Sequence, residues 1–144
     1  VAGRYVNIAR ARSRGVEVEG EAALPWGFRV QATYSYIDAI NGQTGVRLLR
    51  VPLNSGSASL FWAHGRWDAV FTLRAEDAVH DTGLDFSPVI RPGFAVADLA
   101  GGYRLNDHLR LTARVQNLAG EHYEQAFGFG EPGRTFTIGL RFKA

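Results

Sequence analysis

The tripeptide Asp81-Thr82-Gly83, within HDTGLD, is where residue types and spacing first suggest chemistry. An Asp-Thr-Gly turn can present a carboxylate at the end of a β-strand, and two such carboxylates sharing a proton can activate water for peptide hydrolysis. One copy per chain would require a dimer. The preceding strand should then be apolar up to the Asp, but it reads Glu76, Asp77, Ala78, Val79, His80. A triplet without its structural context is weak evidence.

Other reactive types are no better organised. His64, His80, His108 and His122 share no metal-ligand spacing, and each falls at an expected turn or strand end, where a solvated imidazole is the simpler account. Glu17, Glu19 and Glu21 line one strand face and could attract a cation, yet Arg29, nearly opposite, can neutralise part of the row. Gly128 and Gly130 in FGFGEPG do not follow a strand that opens a helix, so no phosphate loop is indicated. Cysteine is absent, which removes disulfides and thiolate sites. With 16 Lys and Arg against 14 Asp and Glu scattered along 144 residues, there is no basic stripe for nucleic acid. No catalytic residue, metal site or cofactor is expected.

The elements that carry these residues follow period two. In FRVQATYSY, Phe28, Val30, Ala32, Tyr34 and Tyr36 share one face and Arg29, Gln31, Thr33 and Ser35 the other. With the run before LPWGF this makes a hairpin. A second hairpin turns at Gly65-Arg66 and sets Leu60 opposite Phe71, Ala58 opposite Leu73 and Ser59 opposite Thr72. A third turns at Asn106-Asp107-His108, and the chain closes on a strand bearing Phe136, Ile138, Leu140 and Phe142. About seven strands result, with no competing helical period.

Connections near 26, 65 and 107 are tight, while 41–50, 82–92 and 119–133 are long, the asymmetry of an outer-membrane barrel. Trp26, Phe28, Trp62, Trp67, Tyr103 and Phe142 gather at the short-turn end, as in an interfacial girdle or as caps on a soluble sandwich. Mean hydropathy of −0.12 cannot separate the two, because a barrel strand is apolar only at alternate residues. Small residues on the polar face, among them Ser57, Ser59, Ala100, Gly102 and Gly139, suit a surface against which something packs, or bends and bulges.

Four stretches then carry a resemblance: RGVEVEGEAAL, ATYSYIDA, VADLAGGYRLNDHLRLTARVQNLAGEHYEQAFGF and EPGRTFTIGLRF. In this order and spacing they resemble the carboxy-terminal part of TonB-dependent outer-membrane receptors, which take up siderophores, vitamin B12 and similar scarce nutrients. The resemblance implies an all-β, antiparallel up-and-down transmembrane barrel segment, about seven strands of a barrel of roughly 22. Residues 1–144 would form that segment, with the plug and the TonB-contacting part absent. Implied partners are the Gram-negative outer-membrane bilayer, a nutrient–metal complex or cobalamin as ligand, TonB through the absent amino-terminal part, and the barrel-assembly machinery.

Ligand contacts would come from the long loops, through Arg47, Arg50, Asp85, Phe86, Phe127 and Phe129, while Asn117, Gly133 and Arg134 match recurring structural positions of the last hairpin. Lys143 and Ala144 follow Phe142 where the family usually ends on an aromatic residue. Unpaired sheet edges are expected near Tyr5–Ala9 and at the last strand. A soluble β-barrel or sandwich binding module is the alternative, and an aspartic-protease-like enzyme using Asp81 the remote one.

Overall fold

The computed structural model describes residues 10–143. These residues form eleven strands: β1 (Ala11–Leu24), β2 (Phe28–Asn41), β3 (Asn54–His64), β4 (Trp67–Glu76), β5 (Val79–Thr82), β6 (Pro88–Arg91), β7 (Phe94–Arg104), β8 (Leu109–Gln116), β9 (Glu124–Ala126), β10 (Phe129–Gly130) and β11 (Thr135–Phe142). Seven of them make one antiparallel sheet in the order β1-β2-β3-β4-β7-β8-β11. Each long strand therefore pairs with the next long strand in the chain, an up-and-down meander. The expected first edge, near Tyr5–Ala9, lies outside the described residues; β11 does end the sheet at the other side.

Register follows the alternation. Leu60 pairs with Phe71, Ala58 with Leu73 and Ser59 with Thr72. One row runs across all seven strands as Ala22, Val30, Leu60, Phe71, Leu99, Val115 and Phe136. The neighbouring row on the opposite face reads Glu21, Gln31, Ser59, Thr72 and Asp98. A slip of one residue in any strand would interchange the two faces.

No second layer covers the apolar face among the described residues. The buried hydrophobic residues are Ala39, Val79 and Val96, while Phe136, Ile138, Leu140 and Phe142 are 71%, 79%, 69% and 73% exposed. Removing side chains of this kind from water is worth about 1.5–3 kcal/mol each, so β11 alone exposes several kcal/mol of unsatisfied apolar surface. A sandwich would cover that surface with a facing sheet about 10 Å away. Among the described residues the seven-stranded sheet has no facing sheet, so they do not form a sandwich.

Turn chemistry sets the short-turn end. Phe28 N–H closes on the Pro25 carbonyl with Trp26 at φ 60°, ψ 26° and Gly27 at φ 81°, the two positive φ values of a type I′ hairpin turn. Gly27 is needed twice over, since a Cβ there would lie 2.2 Å from the Ala63 carbonyl oxygen of β3. In the third turn the Asn106 side-chain carbonyl accepts from the N–H groups of His108 and Leu109, both at 2.9 Å. Aromatic rings sit in pairs beside these turns, Phe28 with Trp62 at 6.2 Å and Trp67 with Tyr103 at 4.4 Å between centroids.

Candidate functional site: the joined outer loops

At the opposite end the long connections span residues 42–53, 77–93 and 117–134. The second folds its middle into the ribbon β5/β6 and the third into the ribbon β9/β10, two ribbons that the period-two pattern does not mark. Their strands are two to four residues long, too short for alternation to register.

One carboxylate joins all three connections. Asp81 is 1% exposed, and its Oδ1 accepts from Arg50 Nε at 2.7 Å and from Thr82 N at 2.8 Å. Its Oδ2 accepts from Phe127 N at 2.9 Å. Arg50 N also donates to the His80 carbonyl at 2.8 Å, so the first connection is held to β5 by backbone and side chain together. Burial would raise the Asp81 pKa, but the bonds from Phe127, Arg50 and Thr82 outweigh it and lower the value to about 2. Both oxygens of Asp81 are thus engaged in tethering, and the arrangement resembles a clamp rather than a shared-proton dyad.

A second tether joins β4 to the second and third connections. The Arg91 side chain, 4% exposed, forms an ion pair with Glu76. Its Nη1 donates to the Glu124 carbonyl at 2.9 Å and the Pro92 carbonyl at 3.2 Å. Phe94 packs on Tyr123 at 4.4 Å between ring centroids, with the Arg91 guanidinium 5.8 Å from the Phe94 ring. Gly93 makes this close packing possible, because a Cβ there would lie 2.4 Å from the Glu76 carbonyl oxygen and 2.8 Å from Ala78 N.

Asn117, at φ 53°, organises the root of the third connection. Its N–H donates to Asp98 Oδ1 at 2.8 Å, its Oδ1 accepts from Glu121 N at 2.8 Å, and its Nδ2 donates to the carbonyls of Glu121 at 2.8 Å and Pro132 at 3.3 Å. Both ends of the loop are thereby drawn to one side chain. Gly133 is exposed beside Pro132, and Arg134 reaches toward Gly120.

The residues expected to meet ligand do not form one cluster. Arg50 and Phe127 meet at the Asp81 clamp, Arg50 through its side chain and Phe127 through its backbone. Asp85 and Phe86 sit in the β5–β6 turn, where the Ser87 hydroxyl and then the Ser87 N–H hold the Asp85 pKa below its ordinary value. Phe86 and Phe129 are 65% and 68% exposed. Leu84 packs over Gly128, which brings the tips of the two ribbons together. Arg47 stands apart, 3.9 Å from Asp38 near the long-connection end of β2. Sequence reasoning missed the tethering role of Asp81, Arg91 and Glu124; their partners lie far away in the chain, and nothing local marks them.

No cluster of three His, Cys, Asp or Glu side chains is placed to hold a metal ion among the described residues. The connections offer the exposed aromatic side chains of Phe86 and Phe129 at the ribbon tips and the partly exposed guanidiniums of Arg47 and Arg50.

Residues 1–118 match the family model described as TonB dependent receptor-like, beta-barrel. Among solved structures, a copper transporter, OprC, is 27% identical with a TM-score of 0.72, over 92% of this chain and 24% of its own. The Pseudomonas aeruginosa receptor FpvA, bound to a pyoverdine–iron complex, is 17% identical with a TM-score of 0.80, over 92% and 19%. The ferric-catecholate import receptor Fiu from Escherichia coli K12 is 20% identical with a TM-score of 0.78, over 92% and 21%. The chain spans about a quarter or less of the length of these proteins.

Proposed function

This chain belongs to the TonB-dependent receptor-like β-barrel family, and from that premise we propose that it forms the last part of the barrel of an outer-membrane receptor that captures a scarce metal complex. Residues 1–144 supply seven adjacent wall strands. The short turns face the periplasm and the joined loops face outward, where they contribute part of the ligand surface. An iron–siderophore, cobalamin or a copper species fits this class, and the names of the similar receptors favour iron complexes and copper. Transport needs no covalent step; it is completed by the rest of the receptor and by TonB. Assembly into the bilayer would pass through the barrel-assembly machinery, which reads the closing strand.

The observation that carries the reading is the pairing of an uncovered apolar face, continuous across seven strands, with long connections fastened to one another at one end only. Lipid satisfies the first, and the second gives a preformed surface for a ligand. The test is heat-modifiable migration of the full-length protein in outer-membrane extracts, combined with metal-limited growth of a deletion strain. A band that does not shift on boiling, or growth unaffected by deletion under both iron and copper limitation, would count against the reading.

A further inference from the structure

The apolar face of the seven-stranded sheet carries Asp, Glu, Lys or Arg at one corner only. Register puts Arg14 opposite Asp38 and Arg12 opposite Ile40, the next two pairs on this face beyond Val16 and Tyr36. The first connection brings a third cation to the same corner, since Arg47 bridges Ile40 and stands 3.9 Å from Asp38. Arg10 lies one step further out, against Gly42. Among the described residues neither Arg12 nor Arg14 is within ion-pair distance of a carboxylate, and both are exposed.

Height sets this corner at the rim of a bilayer. Leu24 shares a row with Phe28 and Trp62 at the short-turn end. From there to Arg14 the chain runs about 34 Å along β1, at about 3.4 Å per residue. A strand tilted by about 35–45° converts that length to about 24–28 Å of height, against an apolar band of about 25 Å. Leu24 then marks one rim and Arg14 the other, with Tyr34 and Tyr36 just inside it, where interfacial aromatic rings gather. A lone arginine at a rim needs no ligand, because it reaches water by extending. Three guanidiniums around the single carboxylate of Asp38 instead leave an excess of positive charge beside an apolar wall. Toward the short-turn end the same face holds a mainly apolar groove of about 370 Å³ beside Tyr34, lined by Ala58, Leu73 and Ala75. The Tyr34 hydroxyl donates to Asn54 Oδ1 at 2.6 Å, which fixes that ring.

We propose that this corner binds a phosphorylated lipid of the outer leaflet, with its phosphate groups on Arg12, Arg14 and Arg47 and an acyl chain in the groove beside Tyr34. Guanidinium forks take phosphate oxygens bidentately, and basic clusters at the end of a membrane-spanning segment recognise anionic headgroups. A soluble phosphate compound would use the cations alone; a groove on the same face, on the membrane side of the cations, selects a molecule with both parts. The inference rests on the receptor reading above, which turns this face to the bilayer and the long connections outward.

The test titrates the full-length receptor, purified in detergent, with bis-phosphorylated lipid A and follows retention by native mass spectrometry. Affinity should fall at least tenfold for the combined Arg12→Gln, Arg14→Gln, Arg47→Gln variant, and most of it should return with Lys at the three positions. Wild-type receptor should bind lipid A stripped of its phosphates at least tenfold more weakly, a comparison that needs no variant and so stands whether or not the substituted chain folds. Equal retention of the dephosphorylated lipid would mean apolar contact alone and would overturn the proposal. Unchanged binding by the Gln variant would do the same, as would binding of inorganic phosphate as tight as that of lipid A. Heat-modifiable migration separates the two levels: a chain that forms no barrel counts against the receptor reading, and a barrel indifferent to the lipid's phosphates counts against the lipid site alone.

Discussion

Replacing Asp81 with Asn removes one charge and changes almost no volume, so its effect isolates the clamp. With the Asn carbonyl oriented at the Oδ1 position, the bonds from Arg50 and Thr82 survive, and the side-chain NH2 group is turned against the N–H of Phe127. The opposite orientation keeps Phe127 and loses the other two. The milder arrangement still forfeits a charge-assisted bond and leaves a buried N–H unpaired, together worth about 3 kcal/mol. At 1.36 kcal/mol per decade this is roughly a 150-fold shift toward the open loops. Hydrogen exchange of the full-length receptor, read on a peptide spanning residues 124–130, should accelerate by about that factor while peptides from the β3–β4 hairpin stay protected. Acceleration of less than about threefold would refute the idea that Asp81 holds the three connections together. The same clamp should respond to acid in the wild-type chain. Because the folded pKa is depressed, the stabilisation is complete above the unfolded value near pH 4 and disappears as pH falls through about 2. Loop protection should therefore persist at pH 5 and vanish near pH 2.

Three further perturbations address separate parts of the structure. Arg91→Met removes the buried partner of Glu76 and the donor to the Glu124 carbonyl, and about 3 kcal/mol of local stability should be lost, seen as faster proteolytic nicking within 117–134. Gly93→Val places side-chain atoms against the backbone of Glu76, Asp77 and Ala78; a cost of about 2–3 kcal/mol should appear as nicking within 77–93, with heat-modifiable migration retained. Trp26→Asn relieves a bulky residue from a left-handed conformation and should raise unfolding stability in detergent micelles by about 1 kcal/mol. No gain in urea titrations would mean that the indole contributes more at the interface than the turn loses to strain.

The wall was largely legible in the sequence because two local signals agree there. Period two assigns faces, and the turns at Trp26-Gly27, Gly65-Arg66 and Asn106 fix which residues oppose each other. A tight turn leaves little choice of register, which is why the turns place Leu60 opposite Phe71 and Arg29 nearly opposite the row of Glu17, Glu19 and Glu21. The outer end offered no such constraint. VHDT and PVIR are too short to show alternation, and Asp81 looked like a reagent because its real partners, Arg50 and Phe127, lie 31 and 46 residues away. A buried carboxylate is identified by what encloses it, and that is a property of the assembled loops.

The in-sequence strand order bears on how the wall is assembled. Every long strand finds its partner within one hairpin or one outer connection, so each step closes a short loop and adds one ribbon to an existing edge. Low sequence separation of this kind favours rapid, stepwise growth. The Asp81 clamp cannot form until three successive connections are present, so it should mature after the strands have zipped. Asp81→Asn is then expected to leave the refolding rate in detergent unchanged and to act only on the opening of the finished loops.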